Sequence, residues 1–169
     1  PAQLVQDAQR HGVQVLPPDV SNSDWDCKLE SDPNSSNSFR PAVRLGLRMV
    51  GGLSEAEGRR IAAARPYASI HSLGLNRKDL RSLASGGALQ SLAGHRRLAH
   101  WAAAGAARRA PLDAPAAERL PQLAAPREGE DIVADYASLG LTLGRHPLAL
   151  IRSHLEKRRV VTAKNLNAL

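Results

Sequence analysis

The stretch 49-MVGGLSEAEGRRIAAAR-65 decides how this chain is read. Two apolar residues run into Gly51-Gly52, then Leu53 and Ser54, and a helix bearing arginines follows until Pro66 stops it. Gly-Gly before a helix is an ordinary corner and C-cap. It also permits positive φ and close approach of another backbone. A turn that opens a helix directs unpaired N–H groups outward with the helix dipole behind them, which suits one phosphate. Two features oppose the phosphate reading. Ser54 and Glu57 form S-x-x-E, a capping box that satisfies the helix start internally, and Glu55 and Glu57 set negative charge beside the turn.

A second turn, Gly86-Gly87-Ala88-Leu89, repeats the plan downstream. Two such turns joined by a helix could grip the duplex backbone without reading bases, which is the helix-hairpin-helix idea. Arg48, Arg59 and Arg60 flank the first turn, and Lys78, Arg81, Arg96 and Arg97 flank the second. His95, beside Arg96, could donate to a phosphate or be a plain exposed histidine. Trp101 sits among alanines and reads as core.

Charge supports this emphasis. Residues 46–109 hold 11 Lys/Arg against 3 Asp/Glu, whereas the remaining residues hold 12 against 13, so the whole excess of +7 lies in one block. A block of this kind suits a polyanion, most often nucleic acid; a solvated Arg-rich face is the alternative. The 43% apolar content is mostly Ala and Leu with five aromatics, favouring closely packed helices over a β-sandwich. Cys27 is the one cysteine, so no internal disulfide forms and no zinc spacing exists. No run of about 18 apolar residues could span a membrane, and nothing reads as a signal peptide. A cytoplasmic location is expected. The start at Pro1 suggests a piece of a longer protein.

Along the chain, residues 1–12 read as a helix ended by Gly12, and 13–20 as extended and broken by Pro17 and Pro18. Residues 21–30 suggest a strand or irregular edge, 31–38 a loop, and 42–50 a strand entering the first turn. Leu80 and Leu83 mark a helix over 76–85, and 94–109 another. Residues 110–126 carry four prolines and read as a linker. A helix over 128–143 is expected with Ile132, Val133, Tyr136, Leu139 and Leu143 on one side, then one opened by Pro147 and capped by His146. Asp24-Trp25-Asp26 resembles a D-x-D metal pair without a third carboxylate, and Trp25 reads as an anchor of the local fold. Cys27 has no evident base.

The ordered set LVQDAQRHGVQVLPPDVSNSDWD, RLGLRMVGGLSEAEGRRIAAAR, LASGGALQSLAGHRRLAHWA and SLGLTLGRHPL covers nearly the whole chain. It resembles bacterial C-family DNA polymerases, most closely the error-prone paralogue of the polymerase III alpha subunit. The resemblance implies a mostly α fold with a few short strands: the end of a fingers domain at 1–45, a tandem helix-hairpin-helix at 46–109, a Pro-rich linker at 110–128, and a helical segment at 129–169 leading to a missing OB-fold. It carries phosphate-gripping roles onto Gly51, Gly52, Leu53 and Ser54, then Gly87, Ala88 and Leu89. Ser54 stands where the family commonly has a second glycine, and the segment 67–80 is shorter than the family pattern. The parent chain of such a family is a DNA polymerase whose palm domain uses Mg2+; no cofactor is expected in this stretch, which alone should not polymerise. Implied partners are double-stranded primer-template DNA and mutasome proteins. The linker has Gln122 but lacks the aromatic of a clamp-binding peptide, so sliding-clamp contact is expected to be indirect. The alternatives are a protein-interaction module docking a mutasome partner, with DNA contact incidental, and a stand-alone repair-type hairpin module.

Overall fold

The computed structural model describes residues 2–31, 41–106 and 121–166. The expected loop at 31–38 and most of the Pro-rich linker lie outside them. Helix α1 (Ala2–Arg10) ends at Gly12, which takes φ +75°. Three short strands follow: β1 (Val15–Leu16), β2 (Lys28–Glu30) and β3 (Ala42–Arg44). β3 lies in the middle, parallel to β1 and antiparallel to β2, pairing Val15 with Val43 and Lys28 with Arg44. Arg44 fastens the edge through Glu30 at 2.9 Å.

The chain leaves β3 through Gly46 because nothing larger fits. A Cβ there would lie 2.3 Å from the Trp25 carbonyl oxygen. The amides of Leu47 and Arg48 donate to Asp24 and Trp25 carbonyls at 2.9 and 3.0 Å. A 3-10 turn (Leu47–Met49) then delivers the chain to the first glycine turn and α2 (Glu55–Ala63). The Trp25 ring rests on α2 at Gly58, where a Cβ would come within 2.3 Å of it. Trp25 therefore acts as a local anchor by packing where α2 has no side chain.

After a second 3-10 turn (His71–Leu73), α3 (Arg77–Ser85) is capped by Asn76, whose side-chain oxygen accepts from the Asp79 amide at 2.9 Å. Next come α4 (Gln90–Ala93), α5 (Arg96–Ala106) and α6 (Glu128–Leu139). The short helices α7 (Pro147–Leu150), α8 (Arg152–Lys157) and α9 (Ala163–Leu166) complete the described residues. Val20, Leu47, Val50, Ile61, Leu73, Leu80, Leu83 and Leu89 form one core. α5 packs on α3 and α4, and α6 on α3.

Three sequence expectations change. Trp101 is not core: it is 54% exposed, because α5 packs through Ala99 and Ala103, and Trp101 lies two positions from each, on the far side of the helix. The expected stripe on α6 narrows to Ile132, which is buried, and Leu139, which is half-buried against the core; Val133 and Tyr136 are exposed. The helix ends at Leu139 with Gly140 in the left-handed conformation, so Leu143 lies beyond it. The helix opened by Pro147 is interrupted at Ile151 and continues as α8. His146 does cap it, accepting from the Leu148 amide at 3.2 Å.

Candidate nucleic-acid interface

The two glycine turns differ in what they leave open. At the first, Gly51, Gly52 and Ser54 are exposed and Leu53 is buried as the apolar peg. Gly52 takes φ +85°, and a Cβ there would lie 2.9 Å from the Ser82 hydroxyl of α3. Gly51 donates its amide to the Ser138 carbonyl of α6 at 2.8 Å, and Leu53 donates to Val50. Ser54 Oγ accepts from the Glu57 amide at 3.3 Å. Among the described residues, the amides of Gly52, Ser54, Glu55 and Ala56 have no protein acceptor. They point from the start of α2, where the dipole favours an anion. The Glu57 carboxylate does not complete the capping box. It pairs with Arg60, and Glu55 pairs with Arg59, both at 2.8 Å, so the acids that oppose an anion are neutralised by their own helix.

At the second turn the expectation of a phosphate grip meets a buried peptide. Gly86, Gly87, Ala88 and Leu89 are all buried. The amides of Gly86, Gly87 and Ala88 donate to Ser82, Ala84 and Leu83 carbonyls, and the Ala88 carbonyl accepts from Val20. An internal anion already holds the start of α4. Asp19, 7% exposed, accepts from the Ser91 amide at 3.2 Å and its hydroxyl at 2.8 Å, and also from the Ser21 amide. A carboxylate thus stands at the start of α4 and the glycines are turned inward, while the Leu89 and Gln90 amides have no protein acceptor among the described residues.

The flanking cations sort the same way. Arg48 pairs with Asp26, and Arg60 also donates to the Leu73 carbonyl. Arg96, expected at the interface, is buried and donates to Asp131 and Asp135 at 2.5 Å each, tying α5 to α6. Arg97 pairs with Glu130 at 2.8 Å. The Arg127 amide, opposed by desolvation and aided by Arg97, holds the Glu130 carboxyl below its usual range. The His95 ring meets the Leu123 carbonyl and caps α5 through the Leu98 amide. Within the basic block, Arg77, Lys78 and Arg81 of α3 are exposed and have no hydrogen-bond or ion-pair partner among the described residues. Lys78 and Arg81 are legible in the sequence as flanking cations; Arg77, the first residue of α3, is not singled out there, although its i,i+4 spacing to Arg81 is visible. Arg81 and Gly51 line one cavity, which brings α3 to the first turn.

The D-x-D pair is engaged elsewhere. Asp24 takes Lys28 and Arg65, and Asp26 takes Arg48. Desolvation raises the Asp24 carboxyl, but the hydrogen bonds from Lys28 and Arg65 outweigh it and the net direction is down. Among the described residues no three His, Cys, Asp or Glu side chains cluster, and no helix is long and apolar enough to cross a membrane. Cys27 is exposed, its Sγ accepting from the Gly46 amide at 3.3 Å.

A family model of the helix-hairpin-helix motif matches residues 12–99, which include both turns and the helices on either side of each. The chain belongs to the helix-hairpin-helix family. Its fold is mostly helical with a small three-stranded sheet, as the sequence implies. In helix-hairpin-helix terms the first hairpin exposes its glycines, whereas the second buries them and has Asp19 bound at the start of α4. Curated relatives are similar over almost the whole chain. An error-prone DNA polymerase of Alkalilimnicola ehrlichii is 50% identical over 175 residues, covering 98% of this chain and 17% of the relative. Those of Dechloromonas aromatica and Bordetella parapertussis are 50% and 51% identical, covering 98% and 99% of this chain and 16% of each relative. The chain therefore spans about a sixth of the length of these relatives. The aligned spans exceed the 169 residues of the chain, so this sequence is shorter than its relatives within the match.

Proposed function

We propose that this chain is the duplex-holding segment of an error-prone DNA polymerase, gripping the phosphate backbone without sequence specificity. One observation carries the reading: an exposed turn presents four unpaired amides at the start of α2, beside the unpaired cations of α3. Backbone amides bind phosphate oxygens irrespective of base, so the contact positions without specifying. The polymerase relatives supply the reaction context. Nucleotidyl transfer and its Mg2+ belong, in this proposal, to the rest of the longer protein, which would act in the cytoplasm in translesion synthesis during damage-induced mutagenesis. The proposed division is the one read from the sequence, with fingers up to residue 45 and the hairpins at 46–109.

The test is duplex binding by fluorescence anisotropy across a salt series, with two unrelated sequences. Equal affinities and a log–log slope of about −0.9 per phosphate neutralised are expected. Absence of binding at low salt refutes the proposal.

A second reading, docking of a mutasome protein, draws on the exposed Val133, Tyr136, Leu148 and Ile151 of α6 to the segment joining α7 and α8. Apolar side chains in that number suit a protein surface better than a phosphate backbone. In that case binding of the partner would survive high salt and fail when these residues become polar. Contact with a sliding clamp would then be made through the partner.

A further inference from the structure

Arg77 and Arg81 stand one helical turn apart on α3, and His100 of α5 faces them. With Ala103 and Ala104 they line a cavity of about 180 Å3. Arg81 and His100 also line a second cavity, of about 420 Å3, which runs to Gly51 of the open turn and to Ser138 of α6. The two cavities share these residues and form one groove whose far end is the back of the first hairpin. The arginines around the first turn are each matched to a carboxylate, whereas Arg77 and Arg81 have no carboxylate partner among the described residues. The nearest acids are engaged elsewhere. Asp79 is buried against the Asn76 side chain at 2.6 Å, and Asp131 and Asp135 hold Arg96. Like charges held within one groove repel, and an anion entering it relieves the repulsion. The His100 ring has its pKa pushed down by desolvation first and then by Arg96 and Arg81.

We propose that the Arg77–Arg81–His100 groove is a second phosphate site, taking the same nucleic acid strand whose neighbouring phosphate rests on the amides of Gly52, Ser54, Glu55 and Ala56. The inference rests on the reading of the first turn as a phosphate grip and extends it along the surface. Continuity with Gly51 selects a strand over a separate small phosphate ligand. Arg77 and Arg81 supply planar donors suited to phosphate oxygens.

The experiment compares R77Q/R81Q with the parent chain and with K157Q/R158Q, a charge-matched change on α8 and its end. Duplex binding is followed by anisotropy across salt, with circular dichroism melts as a check on folding. Arg77 and Arg81 have no partner within the described residues, so R77Q/R81Q is expected to melt as the parent does. Its log–log salt slope should be shallower by about 0.9, one phosphate's worth, with salt-dependent binding remaining through the turn. K157Q/R158Q should change the slope by much less. NMR titration of the His100 ring should show its pKa rising when duplex is added to the parent chain. An R77Q/R81Q slope that is unchanged, or that shifts no more than the slope of K157Q/R158Q, overturns the groove while leaving the first turn standing. A parent chain that binds no duplex removes both.

Discussion

Replacing Glu55 by proline removes one amide of the open turn and little else. Glu55 is the first residue of α2, the position where a helix tolerates proline because its N–H has no intrahelical acceptor. Ser54 before it is already extended, at φ −80° and ψ 152°, as the residue preceding a proline must be. The substitution also breaks the exposed Glu55–Arg59 pair, which is worth a few tenths of a kcal/mol. Glu55→Ala breaks the same pair, frees the same arginine and keeps the amide, so it isolates the N–H. A hydrogen bond to a charged group contributes about 1.5–3 kcal/mol, so E55P should bind duplex roughly ten- to a hundredfold more weakly than E55A. Net charge works in the opposite direction. Both variants gain one positive unit, and E55A should bind as well as the parent or better. Anisotropy at one fixed salt concentration, with thermal melts of all three proteins, reads the difference. If E55P and E55A bind alike while both remain folded, the amides of this turn do not touch phosphate.

Other outcomes follow from the same geometry. Arg96→Met leaves Asp131 and Asp135 without their partner; because Asp131 is partly exposed, the loss should fall near the lower end of about 3–5 kcal/mol, and an unchanged urea midpoint would refute the buried clamp. Asp19→Ala leaves the part-buried donors of Ser91 and Ser21 without their acceptor and should destabilise by about 1 kcal/mol, while duplex affinity of the folded fraction stays the same; a gain in affinity would show the second turn to be a grip held shut. Gly58→Ala drives a methyl into the Trp25 ring and should cost about 1–3 kcal/mol with altered tryptophan fluorescence. His100 is depressed in the folded chain, so the folded state binds fewer protons than the unfolded one once pH falls below the ordinary value of 6.5. Its contribution is therefore intact above that value and declines as pH drops beneath it. His100→Gln should flatten this part of the stability profile, and an identical profile would refute the assignment.

What could be read in advance tracks sequence distance. The Asn76 cap and the Leu80–Leu83 spacing lie within α3, and they define it without help from the rest of the chain. The first turn is equally local, since glycine, apolar peg and N-cap are consecutive residues. Asp19 reaches the start of α4 from 72 positions away, and Arg96 finds Asp131 across 35. No periodicity encodes such pairings. The charge block misleads for a related reason. Arg59 and Arg60 meet carboxylates three and four residues back on their own helix, and Arg48, Arg65 and Arg97 meet acids from other segments. Counting charge within a window cannot separate these from Arg77 and Arg81. Trp101 was misjudged because its alanine neighbours suggest depth, whereas on α5 the alanines themselves make the close contact and the ring is turned outward.

The buried carboxylate of Asp19 has a mechanical consequence. A tandem motif with two open turns would pin a duplex at two points and so fix a line. With the second turn's glycines buried and Asp19 at the start of α4, the proposed duplex contact has its pivot at the first turn, and a duplex resting there could swivel. Its heading must then be set by contacts lateral to the pivot, on the α3 side, where the arginines have no other engagement.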